Sequence, residues 1–176
     1  ALIDRAKSCL RNFCVDHLPR LLSLGADHWD RIDEMDAVPY RGFTLFLVPD
    51  LVLRETEEAT DWEIIDWKTG AWPDAEQLSA YALYLVLRAR RDRRQEPAPE
   101  RILGQSIPLL DTSRVIKKWM TTADLESVRQ TINHDIDTLS PLRPAGEAYD
   151  RSVFPKTEKK ERCRGCLYKT HCDQED

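Results

Sequence analysis

Apolar and polar positions along the chain switch between two rhythms. Over residues 1–22, Leu2, Ala6, Cys9, Leu10, Phe13 and Cys14 recur near the helical period, which predicts an amphipathic helix bent or ended by Pro19. Residues 29–38 fit no single pattern; a first strand rich in acids is one reading. "GFTLFLVPDLVLRE" (42–55) is apolar and β-branched and predicts a strand, with Pro49 marking a bulge or an edge. After the polar turn "TEEATD", "WEIIDWKTG" (62–70) predicts a second strand closed by Thr-Gly, so that the two form a hairpin. From Asp74 to about Arg91 the rhythm is helical, with Leu78, Tyr81, Ala82, Leu85 and Val86 as the apolar stripe. "RILGQSIPLLD" and "SRVIKKWM" read as two further strands. A last helix follows, with Thr122 as its N-cap and Leu125, Val128, Ile132, Ile136 and Leu139 as its buried stripe. Helix, strands, helix, strands and helix in this order indicate a mixed α/β layer fold around one central sheet.

Length and composition fit that picture. A chain of 176 residues with 41% hydrophobic residues suits one domain with a real core, with or without a small appendage. No apolar run is long enough for a membrane helix and no export signal is visible, so no membrane partner is expected. The chain opens inside a helical pattern, which points to further sequence upstream of Ala1. A net charge of −5 argues against coating nucleic acid with a uniformly basic surface. Two basic runs remain, "RARRDRR" (88–94) and "KTEKKERCRGCLYK" (156–169), each of which reads on its own as a solvated helix end or tail.

The strand "IIDWK" carries the chemistry. Side chains alternate along a strand, so Ile64, Asp66 and Lys68 share one face, and Ile65 and Trp67 share the other, where they can pack under a helix. The hairpin can set Asp50 beside Asp66. Two carboxylates brought together repel and call for a cation. Mg²⁺ suits them, because it takes one or two carboxylates and completes its shell with water and phosphate oxygens. Gln77 and Tyr81, four apart, fall on one face of the helix that follows. Taken singly, Asp66 and Lys68 read as a structural ion pair and Tyr81 as core.

The ordered set, "PD" at 49–50, "DWK" at 66–68 and "QLSAY" at 77–81, resembles the PD-(D/E)XK nuclease superfamily, and within it the RecB-like branch with its D-x-K-T-G strand end and Q-x-x-x-Y helix. The resemblance implies a restriction-endonuclease-like α/β core, a mixed central sheet flanked by helices, over residues 1–145, with a Cys-rich C-terminal tail over 146–176. It implies a Mg²⁺- or Mn²⁺-dependent deoxyribonuclease. Asp50, Asp66 and the backbone carbonyl of Trp67 hold the metal, Lys68 is catalytic, and Gln77 and Tyr81 support the site and its contact with DNA. The implied setting is DNA repair, recombination or CRISPR adaptation, with a helicase or CRISPR adaptation proteins as partners. A phage-type exonuclease on the same fold is the enzyme alternative. A catalytically silent module that binds DNA ends or scaffolds a helicase is the other. RecB-like nucleases usually add a His or Glu ligand from an upstream helix. His17, His28 and Glu34 are the upstream candidates here, none in a clear motif, so that ligand is expected before Ala1.

Five cysteines are an odd number, and Cys163, Cys166 and Cys172 crowd the end of the chain. Clustering suits an intracellular metal site better than a secreted disulfide scaffold, so the cytoplasm is the expected compartment. The C-x2-C-x5-C spacing can hold zinc, with His171 as a conceivable fourth ligand, or three corners of an iron–sulfur cluster. The resemblance favours the cluster: iron–sulfur RecB-like nucleases of the AddB and CRISPR-associated types carry such a triplet, with a fourth cysteine far upstream clipping the chain ends around a 4Fe–4S centre. Cys9 and Cys14 lie inside the first helix pattern and read as buried structural cysteines. The fourth ligand is therefore also expected before Ala1.

Overall fold

A computed structural model of the chain describes residues 2–56, 60–70, 72–91 and 99–142. By its contacts the chain divides into residues 1–133 and 134–176. Of the second unit the described residues are 134–142, the last turns of a helix and a short 3-10 turn, Ser140–Leu142. Among the described residues no helix is long and apolar enough to cross a membrane.

The first unit is built on a five-stranded sheet of order β1-β4-β5-β6-β7. Its strands are β1 (Trp29–Ile32), β4 (Leu51–Arg54), β5 (Asp61–Lys68), β6 (Arg101–Pro108) and β7 (Ile116–Trp119). All neighbours pair antiparallel except β5 and β6, which are parallel. That parallel pair requires a crossover, supplied by helix α3 (Ala75–Arg91). A second, two-stranded sheet is formed by β2 (Asp36–Tyr40) and β3 (Phe43–Leu47). The expected mixed α/β layering, with helices flanking the sheet, is therefore present.

Alternation along the strands divides the core into two layers. Val52, Trp62, Ile64 and Ile102 pack against Leu78, Tyr81, Ala82, Tyr84 and Leu85 of α3. Leu51, Leu53, Ile65 and Ile107 pack on the other side against Cys9 and Leu21, which come from α1 (Leu2–Asn12) and α2 (Leu18–Leu24). Trp67 joins this second layer and meets Phe13 edge-on, with ring centroids 5.2 Å apart. The predicted split of β5, with Ile64 on one face and Ile65 and Trp67 under a helix on the other, is thus the way the sheet is buried.

Five local expectations need correction. Residues 42–55 are not one strand: the chain leaves β3, passes Val48–Asp50 and starts β4 in a different sheet. Pro49 is fully buried at this break, where its missing N–H removes a ladder donor. Pro19 does not end the first helix. It occupies the first turn of α2, where a missing N–H costs little, and the change of helix is absorbed by a wider π turn, Phe13–His17, closed by the Leu18 N–H on the Phe13 carbonyl. Cys9 is buried as expected, but Cys14 is exposed, because it sits at the rim of the buried face and inside the π turn. The last helix, α4 (Thr122–Leu139), is capped by Thr121, not Thr122: the Thr121 Oγ1 accepts from the Asp124 N–H at 3.2 Å while Asp124 Oδ2 accepts from the Thr121 N–H at 2.9 Å. Leu125 packs on the first core layer, whereas Leu139 is exposed.

The basic run at 88–94 is also not simply solvated. Arg88 is 4% exposed and pairs with Asp30 of β1 at 3.2 Å. Asp30 also takes Arg54 of β4, and Asp36 of β2 accepts from the Tyr84 hydroxyl at 2.7 Å. The end of α3 is therefore fixed to β1, β2 and β4 by charge as well as by packing. Residues 92–98 and 143–176, which include the rest of that run and the whole of the second, lie outside the described residues.

Close approach of α3 to the sheet depends on Gly104 of β6. A Cβ there would stand 2.5 Å from Met120 Cε and 3.2 Å from Leu78 Cδ1. The Met120 methyl can swing away; Leu78, wedged in the first turn of α3, cannot. Gly104→Val is expected to destabilise the fold by about 1–3 kcal/mol through overpacking, read as a lower urea midpoint at unchanged m-value.

Candidate active site

At the C-terminal end of β5 the sheet brings together residues distant in sequence. Leu51 lies opposite Ile65. Asp50 immediately precedes Leu51 and Asp66 immediately follows Ile65, so the two acids stand at the same end of the β4–β5 pairing, with Pro49 before Asp50. Asp50 turns its carboxylate back onto the strand, where Oδ2 accepts from the Trp67 N–H at 2.6 Å. The N–H and C=O of one strand residue point to the same side, so the Trp67 carbonyl also faces the β4 edge. Pro49 has no N–H to offer it.

Asp66 is 2% exposed, a carboxylate in the middle of a sheet. Its Oδ2 pairs with Lys68 Nζ at 2.7 Å and lies 3.5 Å from the Ser106 hydroxyl of β6. Ser106 stands directly opposite Asp66 in the parallel pairing. The same hydroxyl accepts from the Asp74 N–H at 3.0 Å, and Asp74 Oδ1 caps α3 by accepting from the Gln77 N–H at 3.0 Å. Lys68 Nζ donates also to Gln77 Oε1, and Gln77 Nε2 donates to the Tyr81 hydroxyl at 2.5 Å. An unbroken chain of contacts thus runs from Asp66 through Lys68 and Gln77 to Tyr81. The first turn of α3 is pinned to it from both sides.

Electrostatics mark the same place. Burial pushes the Asp50 carboxyl above its ordinary value, opposed by the Trp67 N–H, raised further by the charge of Asp66, opposed by Lys68 and raised again by Asp33. Burial and the nearby Asp66 push the Tyr81 hydroxyl up to about 12. It stays protonated at neutral pH and keeps a proton to donate beyond the Gln77 bond. Two carboxylates at one end of the β4–β5 pairing, with the Trp67 carbonyl on the same edge, are hard oxygen donors that suit Mg²⁺ or Mn²⁺. Among the described residues no group of three or more His, Cys, Asp or Glu side chains converges on a possible metal position. A cation held here would complete its shell with water and phosphate oxygens.

All five predicted residues, Asp50, Asp66, Lys68, Gln77 and Tyr81, meet at this one end of the sheet. The upstream candidates do not join them. Glu34 is exposed and pairs with Arg31 at 3.0 Å. His17 borders a small cavity with Ile65 and Trp67, on the face of β5 opposite Asp66, and burial lowers its pKa. His28 lines a cleft with Arg54, Asp61 and Trp62, at the far end of β5. Sequence reasoning missed Ser106 and Asp33. Ser106 is a lone hydroxyl in an apolar run, and only the β5–β6 register gives it a role. Asp33 takes a left-handed backbone, φ 45°, and its N–H donates to the Asp50 carbonyl at 2.9 Å. A polar residue ending a short strand gives no signal of that kind. Cys163, Cys166, Cys172 and His171 lie outside the described residues.

The raised Asp50 pKa has a measurable consequence. A carboxyl whose folded-state pKa is raised opposes folding when ionised. Its penalty is absent below the ordinary Asp value of 3.8, grows as pH rises past it, and is complete above the raised value. Asp50→Asn keeps an acceptor for the Trp67 N–H and removes the charge. In EDTA the variant is expected to melt above the unmutated protein at pH 7, and the difference is expected to shrink toward zero as pH falls below about 4. Equal melting temperatures at pH 7 would contradict this.

Against known proteins, residues 15–173 match the family model of the PD-(D/E)XK nuclease superfamily. No curated protein and no solved structure matches the chain. The family match takes in every strand of both sheets, α3 and all five residues gathered at the end of β5. The chain belongs to the PD-(D/E)XK nuclease superfamily.

Proposed function

We propose that the protein is a Mg²⁺- or Mn²⁺-dependent deoxyribonuclease that hydrolyses phosphodiester bonds, of the RecB-like branch. The observation that carries this reading is the wiring of Lys68. Its ammonium is held between Asp66 Oδ2, at 2.7 Å, and Gln77 Oε1, which places one fixed positive charge beside two carboxylates at one end of the β4–β5 pairing. A structural ion pair at a strand end needs neither Gln77 nor a second acid nearby.

In this reading Asp50, Asp66 and the Trp67 carbonyl hold the cation. When bound, the cation supplies Lewis acidity toward the scissile phosphate and lowers the pKa of the attacking water. The protein's own groups do the rest. Lys68 offsets negative charge as it develops on the phosphate oxygens and orients the water toward phosphorus. Gln77 holds Lys68 at the correct height above the strand. Tyr81 holds Gln77 and has a proton free to bond a phosphate oxygen.

The wider assignment follows the branch. The substrate is DNA, attacked as an exonuclease in repair, recombination or CRISPR adaptation, with a helicase or adaptation proteins as partners. Residues 1–145 form the nuclease core and 146–176 the cysteine tail. Cys163, Cys166 and Cys172 supply three ligands of a 4Fe–4S cluster, a reading supported by their spacing together with the resemblance to iron–sulfur RecB-like nucleases.

The test is cleavage of DNA with Mn²⁺ or Mg²⁺. Lys68→Ala is expected to lose about 10²–10³ in kcat while still binding the cation, as removal of one charge-stabilising donor does elsewhere. Asp66→Ala should lose cleavage and cation binding together. If the unmutated protein leaves every form of DNA intact with both metals, the enzyme reading fails and the silent DNA-binding module takes its place. For the tail, an anaerobic preparation should be brown and contain iron; stoichiometric zinc without iron would exclude the cluster.

A further inference from the structure

Beyond Lys68 the chain crosses the end of the sheet to reach α3, and this crossing is held at both ends. Arg5 of α1 donates from Nε and Nη2 to the Thr69 carbonyl, at 2.9 and 2.6 Å. Asp74 is held through its N–H on Ser106, the residue facing Asp66. Between these anchors stands Trp72, 74% exposed. The Arg114 guanidinium lies over its ring, 4.5 Å from the centroid. Arg114 is itself set by Asp111, Nε to Oδ2 at 2.7 Å, and Asp111 is fixed by the Ser113 hydroxyl at 2.5 Å. A Cβ on Gly70 would meet Arg5 Nη2 and the Trp72 nitrogen, each at 3.9 Å, so a second guanidinium sits close to the same loop.

An exposed tryptophan usually means a ring with nowhere to pack. Trp72 is different because its position is built: anchored backbone on both sides, a cation over the ring, and a second ion pair behind that cation. Two other cation–π pairs occur among the described residues: Arg54 over Trp62 is buried core, and Arg101 over the part-exposed Trp119 lies toward the opposite end of the sheet, where Arg101 faces Asp61 rather than Lys68. Trp72 instead offers most of its surface to solvent, four residues along the chain from Lys68.

We propose that Trp72, backed by Arg114, is the platform on which a base of single-stranded DNA stacks when its neighbouring phosphate reaches Asp66 and Lys68. The identity of the ligand as DNA rests on the nuclease reading above. Every base has a π face, so stacking on one aromatic ring gives affinity without sequence preference. Inside a duplex those faces are already occupied by neighbouring bases, and only the terminal pair leaves one open. The platform therefore selects unpaired strands, and the two guanidinium groups add attraction for the backbone on either side of the ring.

Binding of a fluorescein-labelled oligothymidylate, read by anisotropy in EDTA so that no strand is cut, tests this. Trp72→Ala should weaken binding by about tenfold to a hundredfold, while Trp72→Phe restores most of it. Affinity for a blunt duplex should change by less than about twofold. An oligomer of abasic sugars should bind the unmutated protein as weakly as oligothymidylate binds Trp72→Ala. The proposal is overturned if Trp72→Ala binds oligothymidylate within about twofold of the unmutated protein, if single strand and duplex weaken together, or if the unmutated protein does not bind the oligomer. Failure of the nuclease reading looks different. Trp72-dependent binding without cleavage in Mn²⁺ removes the enzyme and keeps the platform. Cleavage of single strands by Trp72→Ala at unchanged kcat/KM removes the platform and keeps the enzyme.

Discussion

The burial of one carboxylate governs the architecture around it. Asp66 sits in the middle of a sheet with almost no access to water, and an ionised carboxylate in such a place is tolerated only with close partners. Lys68 supplies charge and Ser106 lies within reach as a donor. Each partner then imposes its own requirement. Lys68 needs Gln77, so the first turn of α3 must lie over the end of β5. Ser106 needs the parallel register of β6, which sets it directly opposite Asp66. Gly104 is the space that lets the helix come that near. Much of the first core layer can be read as what is needed to keep one acid charged out of water.

Asp50 adds the opposite element. It is set near Asp66 and only half-buried, and its pKa moves in the direction that disfavours its charge. Nothing in the packing requires an acid there; an asparagine could also accept the Trp67 N–H, though less strongly. The fold thus carries one local conflict, at the end of the strand where its chemistry is concentrated. Such conflicts between local stability and charge are common at functional sites.

Sequence reasoning reaches furthest where periodicity and topology say the same thing. β5 is legible because alternation alone puts Asp66 and Lys68 on one face and Trp67 on the other. α3 is legible because Gln77 and Tyr81 fall on one helical face and the apolar stripe runs beside them. The break at Pro49 is less so, since an apolar run on both sides of a proline does not say that the two halves enter different sheets. Cys14 misleads because the π turn changes the helical phase just where it lies. Arg88 misleads for another reason: within a basic run its partner, Asp30, is fifty-eight residues away and appears only when β1 reaches the sheet. Ser106, Asp33 and Trp72 share that dependence. Their roles come from register, from a left-handed turn and from a cation brought in by a distant loop, none of which leaves a trace in local pattern.

The ion pair at the end of α3 has one more consequence. Gln77 and Arg88 are eleven residues apart, three turns or about 16 Å along the axis, and they fall on nearly the same line of the helix. A helix lying on an apolar sheet keeps two cheap motions, a roll about its own axis and a slide along it, because hydrophobic contact is indifferent to direction. A single polar pin would leave a swivel. Two pins on one line remove roll, slide and swivel together, as two screws fix a plate. The pairing of Arg88 with Asp30 therefore acts as a distant stop on the lysine, setting the tolerance with which Gln77 can hold it over the strand.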